Sequence, residues 1–401
     1  MDWEELMIFF SAERSNSYIR TSLSELGFLI AEDNCIWYPQ QDMIWIGLIW
    51  DMKSGKLRIS NERVDRLINV IEKTLLHFRK DKVLYRATFV SGFVVQIISM
   101  QAVFGSLVRL RTRELFKCIV LRASWKSLVA LTAPAIEELR FWINLVIQLN
   151  EKGKDLHESD LCDLEAFTDA SETGFVGYVV HNVDRLCAES VCDSIDLLTD
   201  CSLVAPSNSL NTVAGSWTQS ESGKSSTWRE LEAVSRTVKS SLTLLKIHSL
   251  KLNTDNKNVT SIVKNGSKKS DLQIIARELN TVCSENNIKI KANWISRQQN
   301  KIADCLSRYS DCDDCGIDES VFQILDQLWG RHTVDRFATD YNTKCKRFNS
   351  KYWCQNTEAV DSFTQNWFGE NNWFVPPPSV ICKVIRKFSY DKANGTLVVP
   401  L

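Results

Sequence analysis

Asp169, Glu230, Asp255 and Asp304 are the residues of this chain best placed to do chemistry. Asp169 closes the strand-like run LEAFTD, and Asp255 closes a second run, LKLNTD. Glu230 falls in the first turn of the helical pattern TWRELEAVSRTV, and Asp304 lies in NKIADCLSR, after the last strand-like run. Neighbouring parallel strands end on one edge of a sheet, so Asp169 and Asp255 could meet there. The apolar stripe Trp228, Leu231, Val234, Val238 and Leu242 sets one helix face on the sheet and brings Glu230 near the buried side. Carboxylates gathered this closely repel unless cations neutralise them. An all-oxygen set suits Mg²⁺. Two such ions about 4 Å apart clamp the attacking water and the leaving oxygen of a phosphodiester.

Each acid also has an ordinary structural use. Asp169 can start a turn through Ser171 and Gly174. Thr227 and Glu230 fit the T-x-x-E capping box. Asp255 can cap the helix that follows it, and Asp304 can be a solvated helix charge. Taken singly, these uses suffice. Taken together, four acids where one metal set needs ligands favour the metal reading.

The elements that must position the acids follow from hydrophobic periodicity. Strand-like runs span 164–168, 174–180, 212–217, 249–254 and 288–294, and helical patterns span 227–246, 255–264, 270–286 and 299–307. Strands that come first and then alternate with helices predict a mixed sheet with helices packed on it. Residues 190–211, rich in Ser, Asp and Asn, read as a long loop. Upstream, 16–60 read as short strands and turns, with a hairpin at Ser54-Gly55. Val64, Leu67, Ile68, Ile71 and Leu75 then begin a helix, and 83–150 read as further helices. The polar run 149–160 reads as a linker, and the aromatic-rich segment from about 317 is short for a complete large domain. There is no internal repeat, and 401 residues suit two or three domains.

Composition narrows the class. A hydrophobic fraction of 44% and 13 tryptophans allow sizeable cores. With 48 basic and 49 acidic residues, the net charge of −1 points to no partner. From Lys56 to Lys126, however, 15 Lys and Arg face 5 Asp and Glu. Such a run fits either a phosphate backbone or a solvated helical face. The 13 cysteines are scattered, and the lone C-x-x-C at Cys312–Cys315 lacks the second pair of a zinc site. The start MDWEELMIFF lacks the basic region of a signal peptide. No apolar run approaches the roughly 18 residues of a membrane span. An intracellular protein with reduced thiols is expected, with cytoplasm and nucleus undistinguished and the oligomeric state open.

The motifs TDAS…G…G, RELEA, TDN and NKIADCLSR, in this order over about residues 163–309, resemble ribonuclease H of the retroelement type. The resemblance implies an α/β fold, a mixed five-stranded sheet with flanking helices. It implies hydrolysis of the RNA strand of an RNA–DNA hybrid with two Mg²⁺, Mn²⁺ serving as a substitute. The family's four metal-binding catalytic acids map onto Asp169, Glu230, Asp255 and Asp304. Asp169 would bridge both ions, Glu230 and Asp255 would hold one each or orient water, and Asp304 would complete the second site. Arg109, Arg111, Arg113, Asn256 and Arg297 are the expected nucleic-acid contacts. Many family members carry a His before the last acid, where it helps product leave. Here WISRQQNKIAD has none, and Arg297 or Gln298 stands nearby, which implies slower turnover. The basic substrate-handling helix of some relatives is not evident.

The flanks carry weaker resemblances. Residues 1–60, with LGFLIAEDNCIWYPQQDMIWIGLIWD, resemble the last palm strands and primer-gripping hairpin of a retroelement reverse transcriptase. Residues 61–150 resemble its helical thumb and connection, and RLRTRELF is similar to DIRS-type elements. The polymerase's Y-x-D-D signature is not present; Glu4 and Glu5 stand where two Asp would, and no DNA synthesis is expected. Residues 317–401, with VDRFATDYNTKCKRFNS and NWFVPPPSV, resemble the adenine DNA methyltransferase-like region of such elements. Val375 and Pro378 flank Pro376 and Pro377 where a polar residue and a base-stacking aromatic are needed, so an inert fold or packing surface is expected. The leading reading is a ribonuclease H-type hydrolase. A non-catalytic nucleic-acid-binding module and an inactive element remnant are the rivals.

Overall fold

The computed structural model describes residues 3–78, 84–157, 161–181, 211–307 and 316–400. The 190–211 stretch, save its last position, and the Cys312–Cys315 pair lie outside them. The chain divides into two compact units, Met1–Glu158 and Ser159–Leu401.

The first unit opens with a helix, α1 (Trp3–Glu25), which corrects the expectation of strands from residue 16. Tyr18 and Ile19 on it are exposed, and none of its described side chains, 11–25, is buried. Strands β1 (Asp42–Trp45), β2 (Leu48–Asp51) and β3 (Lys56–Ile59) form an antiparallel meander. The β1–β2 turn uses Ile46 and Gly47, both at positive φ, as a two-residue hairpin turn requires. Helix α2 (Asn61–Phe78) buries Val64, Leu67 and Ile71. Next come β4 (Leu84–Arg86), helices α3 (Ala87–Ile98), α4 (Gln101–Phe104), α5 (Leu107–Leu110) and α6 (Arg113–Val120), strand β5 (Leu128–Ala130) and α7 (Ala133–Lys152). The β4–β5 pair corrects the all-helical reading of 83–150, since three-residue strands are too short to show a period. The buried Glu138 carboxylate accepts from the first amides of α6, Glu114 and Leu115, at 3.1 and 2.9 Å. Asn150 of α7 binds both backbone groups of Ile59, at 2.7 and 2.9 Å. Helix α7 and β6 (Lys154–Asp155), which pairs with β3, take up most of the expected linker.

The second unit holds two sheets. The first runs β11-β10-β7-β8-β9: β7 (Leu164–Ala170), β8 (Gly174–His181), β9 (Asn211–Ser216), β10 (Ser249–Thr254) and β11 (Lys289–Trp294). β7, β8 and β9 are antiparallel neighbours, while β10 lies parallel to both β7 and β11. This is the mixed five-stranded sheet expected. The helices are α8 (Gln219–Ser222), α9 (Ser226–Ser240), α10 (Leu242–Leu245), α11 (Lys257–Asn265), α12 (Ser270–Glu285) and α13 (Lys301–Leu306). The helix expected over 227–246 is split, because Ser241 leaves helical geometry. α9 lies close on the sheet because β8 has Gly177 at the crossing; a Cβ there would strike the Thr237 side chain.

The second sheet runs β14-β13-β12-β15-β16, every neighbouring pair parallel. Its strands are β12 (Val334–Asp335), β13 (Arg347–Ser350), β14 (Ala359–Val360), β15 (Asn371–Phe374) and β16 (Asn394–Leu397), with helices α14 (Glu319–Leu328) and α15 (Ile381–Tyr390). Trp367 and Phe374 are fully buried in its core with Val384. The short aromatic-rich segment therefore builds a sheet of its own. Val375 packs beside Phe322 and Trp373. No helix among the described residues is long and apolar enough to cross a membrane.

Candidate active site

The first sheet and two of its helices deliver the four acids to one place. Asp169, Glu230, Asp255 and Asp304 all line a single recess of ≈ 320 Å³, together with Ser171, Glu172 and Arg297. β7 and β10 run parallel side by side, so Asp169, near the end of one, and Asp255, just past the end of the other, reach the same edge.

The ordinary uses open to each acid are taken by its neighbours. Ser171 makes the turn after β7: its Oγ accepts from the amides of Thr173 and Gly174 at 3.2 and 3.0 Å, and donates to the Ser307 carbonyl at 2.7 Å. α9 is capped by Ser225, whose side chain accepts from the Trp228 amide, so Thr227 and Glu230 form no capping box. α11 is capped by Asn256, whose Oδ1 accepts from Asn258 and Val259 at 2.9 and 3.4 Å. Asp169, Glu230 and Asp255 are left to face the recess.

Their electrostatics are unfavourable as they stand. Asp169 is 8% exposed and accepts from Ser307 Oγ at 2.6 Å. Burial raises its proton affinity; the Ser307 bond opposes that, and Asp255 and Asp304 add to it. Burial also raises Asp255, with Arg297 opposing. Glu230 is pushed up to about 7, first by burial and then, against the Asn256 bond, by Asp255 and Asp169. Its Oε1 accepts from Asn256 Nδ2 at 3.1 Å, while its Oε2 is buried with no hydrogen-bond partner in good geometry among the described residues. Asp304 Oδ1 accepts from Arg297 Nε and Nη2 at 3.0 and 2.5 Å.

Among the described residues, no three His, Cys, Asp or Glu side chains stand close enough to hold one ion in this arrangement. Three of the acids instead accept from neighbouring donors: Asp169 from Ser307, Glu230 from Asn256 and Asp304 from Arg297. The residues nevertheless fit a hard cation. The donors are all oxygens, burial holds three of them above the usual carboxylate range, and Glu230 Oε2 is buried with no hydrogen-bond partner in good geometry.

Sequence reasoning passed over the supports beneath the acids. Asn300 is fully buried and donates to the Thr168 carbonyl at 3.0 Å, anchoring the segment before α13 to β7. Glu165, buried in β7, accepts from Lys251 and Asn253 of β10 at 3.3 and 3.1 Å, and Asn293 of β11 donates to Asn253 at 2.9 Å. The available signal was a polar residue inside an otherwise apolar strand, which burial forces into a hydrogen-bonded network.

Of the expected nucleic-acid contacts, Arg297 lines the recess, and Asn256 reaches it only through its bond to Glu230. Arg109 is exposed on α5 and Arg113 is half-buried in the first unit. Arg111 is a correction: it is 4% exposed, with its guanidinium 4.3 Å from the Phe141 ring centroid, and serves packing. Other cations of the basic run also bind within their unit. Arg58 pairs with Asp51, Arg66 with Glu62 and Lys117 with Glu114, and Arg122 lies 3.5 Å from the Trp125 centroid.

Residues 209–310 match the reverse transcriptase-like family, a span that takes in Glu230, Asp255 and Asp304 but not Asp169. No curated protein matches the chain. Among solved structures, it is similar to the N-terminal RNase H domain of a Mycobacterium tuberculosis protein, at 13% identity over 36% of this chain and 91% of that one, with a TM-score of 0.27. RNase H1 from the halophilic archaeon Halobacterium salinarum gives 14% identity over 36% and 92%, with a TM-score of 0.25. The foamy viral protease-reverse transcriptase in complex with RNA/DNA hybrid gives 9% identity over 77% of this chain, which spans only 36% of the viral one, with a TM-score of 0.30.

Proposed function

We propose that residues 163–309 form a metal-dependent ribonuclease that cleaves the RNA strand of RNA–DNA hybrids, in a retroelement-derived chain without polymerase activity. The observation that carries this reading is the convergence of Asp169, Glu230, Asp255 and Asp304 on one recess, with Glu230 Oε2 buried and lacking a hydrogen-bond partner in good geometry. These four would hold two Mg²⁺, which when bound supply an activated water and neutralise charge at the leaving oxygen. The chain's own residues set the stage. Ser307 and the β7 ladder fix Asp169, Asn256 orients Glu230, and Arg297 offers a guanidinium at the mouth of the recess that suits a phosphate. In the flanks, we assign 1–60 to a remnant of a palm and primer-grip hairpin, 61–150 to a thumb- or connection-like region, and 317–401 to a methyltransferase-like fragment without methyl transfer.

The test incubates the full chain with labelled RNA–DNA hybrid and Mg²⁺, beside Asp169→Asn. Cutting of the RNA strand by wild type alone is the expected result. Equal cutting of duplex RNA or duplex DNA would remove the hybrid specificity. The Arg297–Asp304 pair favours a second reading, since it neutralises the last acid internally. In that case the unit binds hybrid without cutting it, and both proteins retain the hybrid on a gel while neither shortens it.

A further inference from the structure

The sequence divides 163–309 from 317–401, and the proposed chemistry uses only the former. The structure joins them at β9. A Cβ at Gly215 would lie 2.5 Å from both Cζ and Oη of Tyr352. Gly215 is not among the glycines at positive φ, so its backbone makes no demand for glycine. What is used is the space where a side chain would be. Tyr352 fills it: the residue is 9% exposed, and its ring meets Phe175 edge-on at 5.6 Å. It belongs to one apolar cluster with Phe175 of β8, Val213 of β9, Trp217 just after β9 and Ala233 of α9.

Two more contacts fall on α9. The Trp353 amide donates to Ser240 Oγ at 2.7 Å, and the Lys239 ammonium lies 3.7 Å from the Trp353 ring centroid. Lys239 is itself only 9% exposed, so this cation sits on the ring largely out of water, where such contacts are strongest. Helix α9 thus carries Glu230 near its start and the C-terminal segment near its end.

We propose that residues 316–400 are an intramolecular partner that the nuclease-like sheet requires, with Gly215 as the seat and Tyr352 as the ring it accepts. Residues from both sheets then melt together, because Phe175, Trp217 and the edge strand β9 complete their packing only with the segment docked. The proposal stands on packing and holds whether or not the unit cleaves RNA.

The test is a double-mutant cycle on the full chain, read by thermal melting and by hydrogen exchange of amides in the second unit. Gly215→Ala forces a methyl group against the ring and lowers the midpoint by something on the order of 5 °C. Tyr352→Ala lowers it as well. The double variant melts with Tyr352→Ala rather than below it, since the ring that the methyl group meets is gone. If Gly215→Ala costs the same with and without the ring, or costs nothing, the seat is not a seat and the proposal falls. Should Tyr352→Ala fail to fold, Ser240→Ala replaces it. Exchange then speeds up at the Trp353 amide and across β9 together; acceleration at Trp353 with β9 unchanged overturns the coupling.

Discussion

Glu230 and Arg297 are the two residues on which the site's charge balance turns. Glu230 is buried and pushed up to about 7, with one oxygen lacking a hydrogen-bond partner in good geometry. Arg297 is the cation lining the recess and is committed to Asp304. Replacing Arg297 with Ala should therefore lower the melting midpoint in metal-free buffer, where the acids lose a counter-charge. Added Mg²⁺ should close that gap, because an ion that binds only the folded state stabilises it by mass action. Calorimetric titration with Mn²⁺ should show tighter binding to Arg297→Ala than to wild type, since Asp304 no longer has to release a guanidinium. For Asp169→Asn the signs differ. Hybrid cleavage should fall by at least about 100-fold. The metal-free midpoint should hold or rise, because the change removes an acid whose ionised form burial disfavours and keeps an acceptor for Ser307. A lower midpoint for Asp169→Asn would mean that the acid is structural.

At the scale of elements, caps and ladders free the acids for other work. Asn256 both caps α11 and binds Glu230, so Asn256→Ala should cost about 1 kcal/mol for the cap alone. Urea denaturation measures that cost, and pairing it with Glu230→Gln shows whether the Asn256–Glu230 bond adds to it. Periodicity alone located all five strands of the first sheet, because apolar runs must alternate with turns to bury a face. It missed α1, whose described side chains, 11–25, include no buried one, and β4 and β5, whose three residues pair across a long stretch of chain. Periodicity also could not say which of Ser225 and Thr227, or of Asp255 and Asn256, would cap a helix. Such a choice rests on one residue's φ and ψ.

At the scale of the whole molecule, the second unit holds both the sheet that carries the four acids and the all-parallel sheet of the C-terminal segment. Asp335, at the end of β12, is buried, and burial pushes its carboxyl up to about 6 against the amide bonds from Lys344 and Phe337. Between about pH 4 and pH 6 the folded chain keeps this proton and the unfolded chain does not. Stability from this group is therefore full below that window and is lost as pH rises through it, by up to about 3 kcal/mol. Urea midpoints of wild type and Asp335→Asn at pH 4, 5, 6 and 7 check this: the variant should lack that part of the slope, whatever its absolute stability.

The sequence by itself determined the order and type of the first sheet's elements, and that two acids stand at strand ends and two on helices. Both are local matters: side-chain period, turn residues and short motifs. Tertiary structure alone decided that the acids share one recess, that Arg297 pairs with Asp304, that Arg111 packs on Phe141 and that Tyr352 occupies the space at Gly215. Each of these joins residues distant in the chain. Such contacts depend on which strands lie side by side and on which side chains burial excludes from water, and no periodicity records either.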